Sequence, residues 1–467
     1  MKRFVSIDFL RGFAILGMIA LHVFIVTFNT DIFVDAVQGH GDAWLIVVAA
    51  VIMYFSSFAG LFVAVSAFGN VASMQKQFER LQGKPDAYKI VRKNQVMRGL
   101  VVILFSLLIT LILWPYIFNP IAEGIAGELT WQQYVDSWAN GTIAAEWVVD
   151  LYFVDVITFL GLATTIIALI YTELLRRGKN VAEIRHTLGI ITVILFVATP
   201  FVLTAIRAVP FMNWPDPHHW AGRTFFENLG AWLLSLVGGV NQAIFPWFGM
   251  TLIGTMMGLD LLDKPVTKDF TKKWYKIGWL MFAIGFAVQI GVLIVASALD
   301  DPAKTIFENG FGTFFGFSGP SSGYMLFSGG GEVLIMTLFL ELVEGKNKAM
   351  QFARRTVVFR RSGLIAMSLY ALHALSYVPV LLLEYAFGLH PDQREEQLWQ
   401  SLLIITICVA IWILVSWAWE KVKFKGSLEW VAAKLLGKMS RREHAADKLD
   451  PKEALYDIQP LGQPELK

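Results

Sequence analysis

The chain has 467 residues, of which 56% are hydrophobic and only 16% charged, and its mean hydropathy is +0.56. A soluble domain carries about 25% charged residues, so this composition excludes an ordinary soluble protein and points to an integral membrane one. The net charge of +2 offers nothing for nucleic acid, and the single cysteine, Cys408, lies in an apolar run, which excludes an internal disulfide framework or a cysteine-built metal site.

A helix needs about 20 residues to cross the hydrocarbon core. Ten such segments are expected, near 5–27, 44–69, 97–119, 149–173, 187–206, 231–258, 274–298, 322–342, 361–387 and 398–419. The predicted fold class is therefore all-α, a polytopic helical bundle in the membrane. The first segment follows Met1, Lys2 and Arg3, which read like the basic start of a signal peptide. Asp8 and Arg11 interrupt its apolar stretch, however, and no small-residue cleavage site follows "FIVTFNTD". It is read as a retained transmembrane helix.

The loop at 120–148 contains "LTWQQYVDSWANG" and the loop at 207–230 contains "FMNWPDPHHWAGRTFFEN". Their Trp and Tyr serve either as interfacial anchors or as a stacking platform for a sugar. His218 and His219 lack a third convincing metal ligand, and no metal is expected. Gly254 and Gly258 at i, i+4 favour close helix packing. Residues 1–437 are expected to form one transmembrane domain, and 438–467 a polar, disordered cytoplasmic tail. All but four of the 39 Lys and Arg fall at the N-terminus, in the even-numbered loops or in the tail; the exceptions are Arg207, Arg223, Lys304 and Arg394. The positive-inside rule then places both termini in the cytoplasm of a multi-pass protein of the cell membrane.

Charged groups at membrane depth cost at least about 2.5–3.5 kcal/mol each on insertion scales, so each one is a functional candidate. On the first helix, Arg11 and His22 fall within about 20° of one face, about 16 Å apart along the axis. Asp8 stands three residues before Arg11, the spacing of a side-chain pair. A polar stripe thus runs from the cytoplasmic end of the helix into the membrane. His373, in "SLYALHALSY", is a second buried histidine, and like His22 it closes an "ALH" tripeptide. Asp155, in "LYFVDVITFLGLA", either lines a pore or sits at the interface.

The stretch "RGFAILGMIALH", an arginine, ten residues and a histidine, resembles the signature of the transmembrane acyltransferase superfamily. "SIDFLRG" before it looks most like the relatives of heparan-α-glucosaminide N-acetyltransferase, rather than the acyltransferase-3 branch. "FVAVSAFGN" matches the second-helix block of that branch only loosely, with Ala67 where glycine is usual. "FPWFGMTLIGTMMGL", "LYFVDVITFLGLA", "SLYALHAL" and "GSLEWVAAKLLG" are similar to further blocks of the first group. The resemblance implies transfer of an acyl group, acetyl above all, from cytoplasmic acyl-CoA to a sugar-like acceptor on the far side of the bilayer. It implies Arg11, with Asp8 beside it, as the CoA-binding end, and His22 with His373 and Asp155 as the catalytic end. Its partners are then the lipid bilayer, acyl-CoA, a glycan acceptor and a second copy in a homodimer. A permease for a small metabolite, or a non-catalytic protein of envelope assembly, are the alternatives that the charged stripe leaves open.

Overall fold

A computed structural model of the chain describes residues 2–28, 58–110, 154–212, 223–312, 321–386, 398–439 and 449–460 apart from single positions inside them, together with 44, 47, 48, 51 and 113. The aromatic loop at 120–148 and the Pro/Trp stretch holding His218 and His219 lie outside these residues. In a bilayer each backbone polar group must be paired within the chain, and helices do this locally. Among the described residues the fold is accordingly helical, apart from one two-residue parallel pairing of β1 (Lys2–Arg3) with β2 (Gln459–Pro460).

In chain order come α1 (Val5–Thr27), α2 (Phe58–Arg80), α3 (Ala87–Leu108), α4 (Val156–Arg176), α5 (Val181–Arg207), α6 (Phe225–Gly238), α7 (Ile244–Asp260), α8 (Lys268–Ser297), α9 (Ala303–Phe311) and α10 (Ser322–Leu340). They are followed by α11 (Ala349–Arg355), α12 (Val357–Leu364), α13 (Ala366–Leu372), α14 (Tyr377–Ala386), α15 (Leu398–Lys421) and α16 (Leu428–Met439). Seven described helices are long and apolar enough to cross a membrane, or eight if the pair Val357–Leu364 and Ala366–Val380, bent by 75°, is one span.

Four of the ten expected segments, 44–69, 97–119, 149–173 and 361–387, run beyond the described residues. The segment expected at 231–258 is not one helix but two, α6 and α7. The reason is local: Gly239 leaves helical geometry as the C-cap of α6, and α7 starts afresh after Ala243. Helix starts are set by short polar side chains. Asn180 and Glu183 form a capping box on α5, and Thr224 and Glu227 form another on α6.

The helices pack through glycines. A Cβ on Gly12 would run into the Phe359 carbonyl, and one on Gly363 would stand 2.9 Å from the Asp8 carbonyl oxygen, so α1 and α12 cross backbone to backbone. Gly254 and Gly258 of α7 lie in the same way on Ala64 and Phe68 of α2, the close packing expected of their spacing. Large apolar side chains are exposed on the outer faces of α5 (Val193, Val197, Phe201), α8 (Trp279, Ile294) and α15 (Leu414). Apolar outer faces of this kind fit lipid contact.

The segment expected as a disordered tail is partly folded. Around a π-helical turn at Lys452–Tyr456, the Ala454 and Leu455 carbonyls accept hydrogen bonds from buried Arg360, at 3.1 and 3.0 Å. Lys423 pairs with Asp450 at 2.9 Å, and β2 lies along the residues that lead into α1. A fully buried guanidinium needs such acceptors, and here they come from backbone far along the chain.

Candidate functional site

α1 carries most of the site, and its start is held from outside. Phe4 provides no side-chain cap, but the Ser6 N–H donates to the Glu344 carboxylate at 3.0 Å. A carboxylate from the π-helical turn Glu341–Gly345 that follows α10 thus satisfies an orphan donor at the positive end of the α1 dipole. Asp8 lies in the same first turn.

One turn further on, the Arg11 guanidinium passes over Gly69 of α2, where a Cβ would stand 3.3 Å from Nη2. Arg98 of α3 lies close enough for its charge to be felt by Arg11. Arg98 does not emerge from the sequence, because its proximity depends on how α3 packs. Two guanidinium groups in one region repel, and an anion between them relieves that repulsion.

At the other end of α1, His22 is exposed. Its Nδ1 lies 2.8 Å from the Met18 carbonyl oxygen. A carbonyl only accepts, so Nδ1 is the protonated nitrogen of the neutral ring, and Nε2 carries the basic lone pair. His373 arrives from a different part of the chain. It opens a 3₁₀ turn, His373–Ser376, directly after α13, beyond the bend at Ile365. It is 4% exposed, and its Nδ1 donates to the Tyr370 carbonyl. The two imidazoles meet edge to face with centroids 4.7 Å apart. They share the walls of a cavity of about 10 Å³ with Val23, Ser376, Tyr377 and Val380, room for a group the size of a water or a carbonyl oxygen.

Asp155 does not touch either histidine. It is the N-cap of α4, accepting from the Thr158 N–H at 2.6 Å and from the Ser106 hydroxyl at 2.7 Å. Its link to the pair is Tyr370, which lies within electrostatic reach of Asp155 and whose ring stands 5.4 Å from that of His373. The sequence-selected residues therefore form two groups on α1, with Arg11 at one end and His22 at the other. His373 joins the second group directly, and Asp155 joins it through Tyr370.

Two further carboxylates and one indole complete the setting. Glu429 of α16 accepts from the N–H groups of Met367 and Ser368 at 2.6 and 3.2 Å and from the Ser368 hydroxyl at 2.6 Å, which fixes the start of the helix leading to His373. The Trp412 indole donates to the Ser376 hydroxyl oxygen at 2.7 Å. Glu332 of α10 is fully buried beside Gly60, where a Cβ would lie 2.5 Å from Oε2.

The arrangement offers a cationic end, a stretch of membrane-spanning helix, and two imidazoles, each bonded through Nδ1 to a backbone carbonyl, beside a small cavity. Such a pair suits proton removal from a hydroxyl or amine, or transient covalent capture of an acyl group. The profile of the family described as heparan-alpha-glucosaminide N-acetyltransferase, catalytic, matches residues 3–294, more than half of the chain. No curated protein and no solved structure matches. Asp8, Arg11, His22, Arg98 and Asp155 fall inside the matched span, whereas His373 and Ser376 lie beyond it. The chain, helical and with several helices long and apolar enough to cross a membrane, thus belongs to the heparan-alpha-glucosaminide N-acetyltransferase catalytic family.

Proposed function

We propose that the protein moves an acetyl or similar acyl group from cytoplasmic acyl-CoA to a sugar-like hydroxyl or amine on the other side of the bilayer. The observation that carries this reading is the contact of His22 with His373, each with Nδ1 anchored on a carbonyl of its own helix. Anchoring fixes the ring orientation and presents Nε2, the nitrogen that either route of acyl transfer requires.

The direction of transfer follows from charge. Basic residues concentrate on the side where α1 begins, and CoA is a polyphosphate. Arg11 and Arg98 there provide fork-shaped donors for phosphate or for the polar pantetheine arm, with Asp8 in the preceding turn. His22 lies about 16 Å further along α1, a separation that an extended pantetheine arm spans. At that end His22 Nε2 takes the proton of the acceptor as its oxygen or nitrogen attacks the thioester carbonyl, or Nε2 itself carries the acyl group between two half-reactions. His373 faces the same cavity and orients or assists His22, and Asp155 holds the start of α4 and, through Tyr370, the His373 turn.

The test is turnover. Purified protein with labelled acetyl-CoA should release free CoA when offered glucosamine-type amines or sugar hydroxyls, and the label should appear in the sugar. In His22→Ala, CoA release should fall by about 10²–10⁴-fold, the usual loss with a general base, while the protein remains folded. Undiminished turnover in His22→Ala would remove His22 from the mechanism. Sugar uptake into vesicles without CoA release would replace the enzyme by a permease.

A further inference from the structure

Ser376 has an unusual bonding position. Its oxygen accepts from the Trp412 indole at 2.7 Å. An indole N–H only donates, so this bond leaves the serine's own proton still to be placed. Other buried hydroxyls in these helices, such as those of Thr192, Thr199 and Thr337, return their proton to the carbonyl four residues earlier. Ser376 does not: among the described residues its proton has no acceptor, although the side chain is only 6% exposed. Ser376 is one of the residues that line the cavity together with His22 and His373.

We propose that Ser376 is a catalytic hydrogen-bond donor to the thioester carbonyl oxygen, and that Trp412 is the positioning residue that turns its hydroxyl into the cavity. The proposal rests on the acyl-transfer reading above. When the acceptor attacks the carbonyl carbon, the C=O electron pair moves onto oxygen and Ser376 stabilises that charge without giving up its proton. Collapse of the adduct restores the C=O bond and breaks the C–S bond. The CoA thiolate leaves with the proton that His22 took from the acceptor, so the products are the acylated acceptor and CoA thiol. A donor aimed at developing charge in a desolvated pocket is worth about 10²–10³ in rate. The cavity, of about 10 Å³, matches a carbonyl oxygen rather than a larger group.

The experiment uses the full-length protein in lipid nanodiscs, with acetyl-CoA carrying ¹³C at the carbonyl. Infrared difference spectra without acceptor read the hydrogen bond to the bound carbonyl, and CoA release with acceptor reads turnover. Wild-type protein should shift the carbonyl band to lower frequency. Ser376→Ala should return the band toward its free position and lower kcat by about 10²-fold, with the KM for acetyl-CoA little changed. Ser376→Thr should keep much of both signals, and Trp412→Phe should weaken both without abolishing them. A kcat and a band position in Ser376→Ala equal to wild type, in a wild-type protein that does turn over, overturn the role of Ser376 and leave the acyl-transfer reading standing. Absence of thioester cleavage in the wild type, with an unshifted band, overturns both.

Discussion

His22 and Arg11 stand out at the residue scale because ionisable groups do not persist on a membrane helix without a reason. Their shared face follows from the 3.6-residue period alone, and this much of the site is legible in the sequence. The nearness of His373 is not, since it depends on the bend at Ile365 and on the crossing of α1 with α12. Arg98 and Ser376 escape for the same reason: each becomes meaningful only through a neighbour on another helix. Asp155 is recognisable as a buried acid, but its hydrogen bonds from Thr158 and Ser106 define it as a helix cap, and the sequence does not separate that role from pore lining. Tyr370→Phe removes the hydroxyl between α4 and the His373 turn while leaving the ring that packs on His373. This variant is expected to lose about tenfold in kcat, with little change in unfolding temperature, measured side by side on the same preparation. Arg98→Ala is expected to raise the KM for acetyl-CoA more than it lowers kcat, because it removes binding and not chemistry.

The helices that carry or lead to the candidate site residues are held at their starts by carboxylates from elsewhere: Glu344 for α1 and Glu429 for α13. The apolar runs of α1, α5, α10 and α15 are plain in the sequence, but these remote caps are not, since both carboxylates lie far from the helices they serve. Burial holds the Glu429 carboxyl above its ordinary value of 4.5, against the hydrogen bonds from Ser368 and Met367, which pull it down. A raised native pKa means that the protonated form favours folding, so this contribution is fully present below about 4.5 and is lost as pH rises through the raised value. Glu429→Gln should therefore flatten the fall in thermal stability as pH rises above 4.5, read by unfolding of the detergent-solubilised protein at several pH values. A wild-type slope retained in the variant would contradict this account. At the α1–α12 crossing, Gly12→Val places side-chain atoms against the Phe359 carbonyl. Overpacking of this kind costs about 1–3 kcal/mol, and the expected result is a lower unfolding temperature together with reduced activity, as the crossing also sets the path to His373.

The whole molecule joins its two ends. Arg360 binds the carbonyls of Ala454 and Leu455, and β2 pairs with β1 just before α1. The polar composition of the C-terminal stretch hides this, because the docking rests on backbone acceptors for a buried arginine, the Lys423–Asp450 pair and only two buried apolar side chains, Ala454 and Leu455. Arg360→Ala leaves those carbonyls without their donor, and removal of one member of such a buried network costs several kcal/mol; limited proteolysis should then cut within 449–460 much faster than in the wild type. The proposed direction of transfer also rests on the whole chain, since basic residues crowd the side where α1 starts while the histidine pair lies further along it. The most direct test of the central claim is transfer across a sealed bilayer. With protein reconstituted in one orientation, labelled acetyl-CoA is supplied on the side of the termini and a membrane-impermeant amino sugar on the other. The account predicts labelled sugar on the far side, CoA retained on the near side, and neither with His22→Ala. Labelled sugar formed equally by His22→Ala, or formed only when both substrates share one compartment, would contradict it.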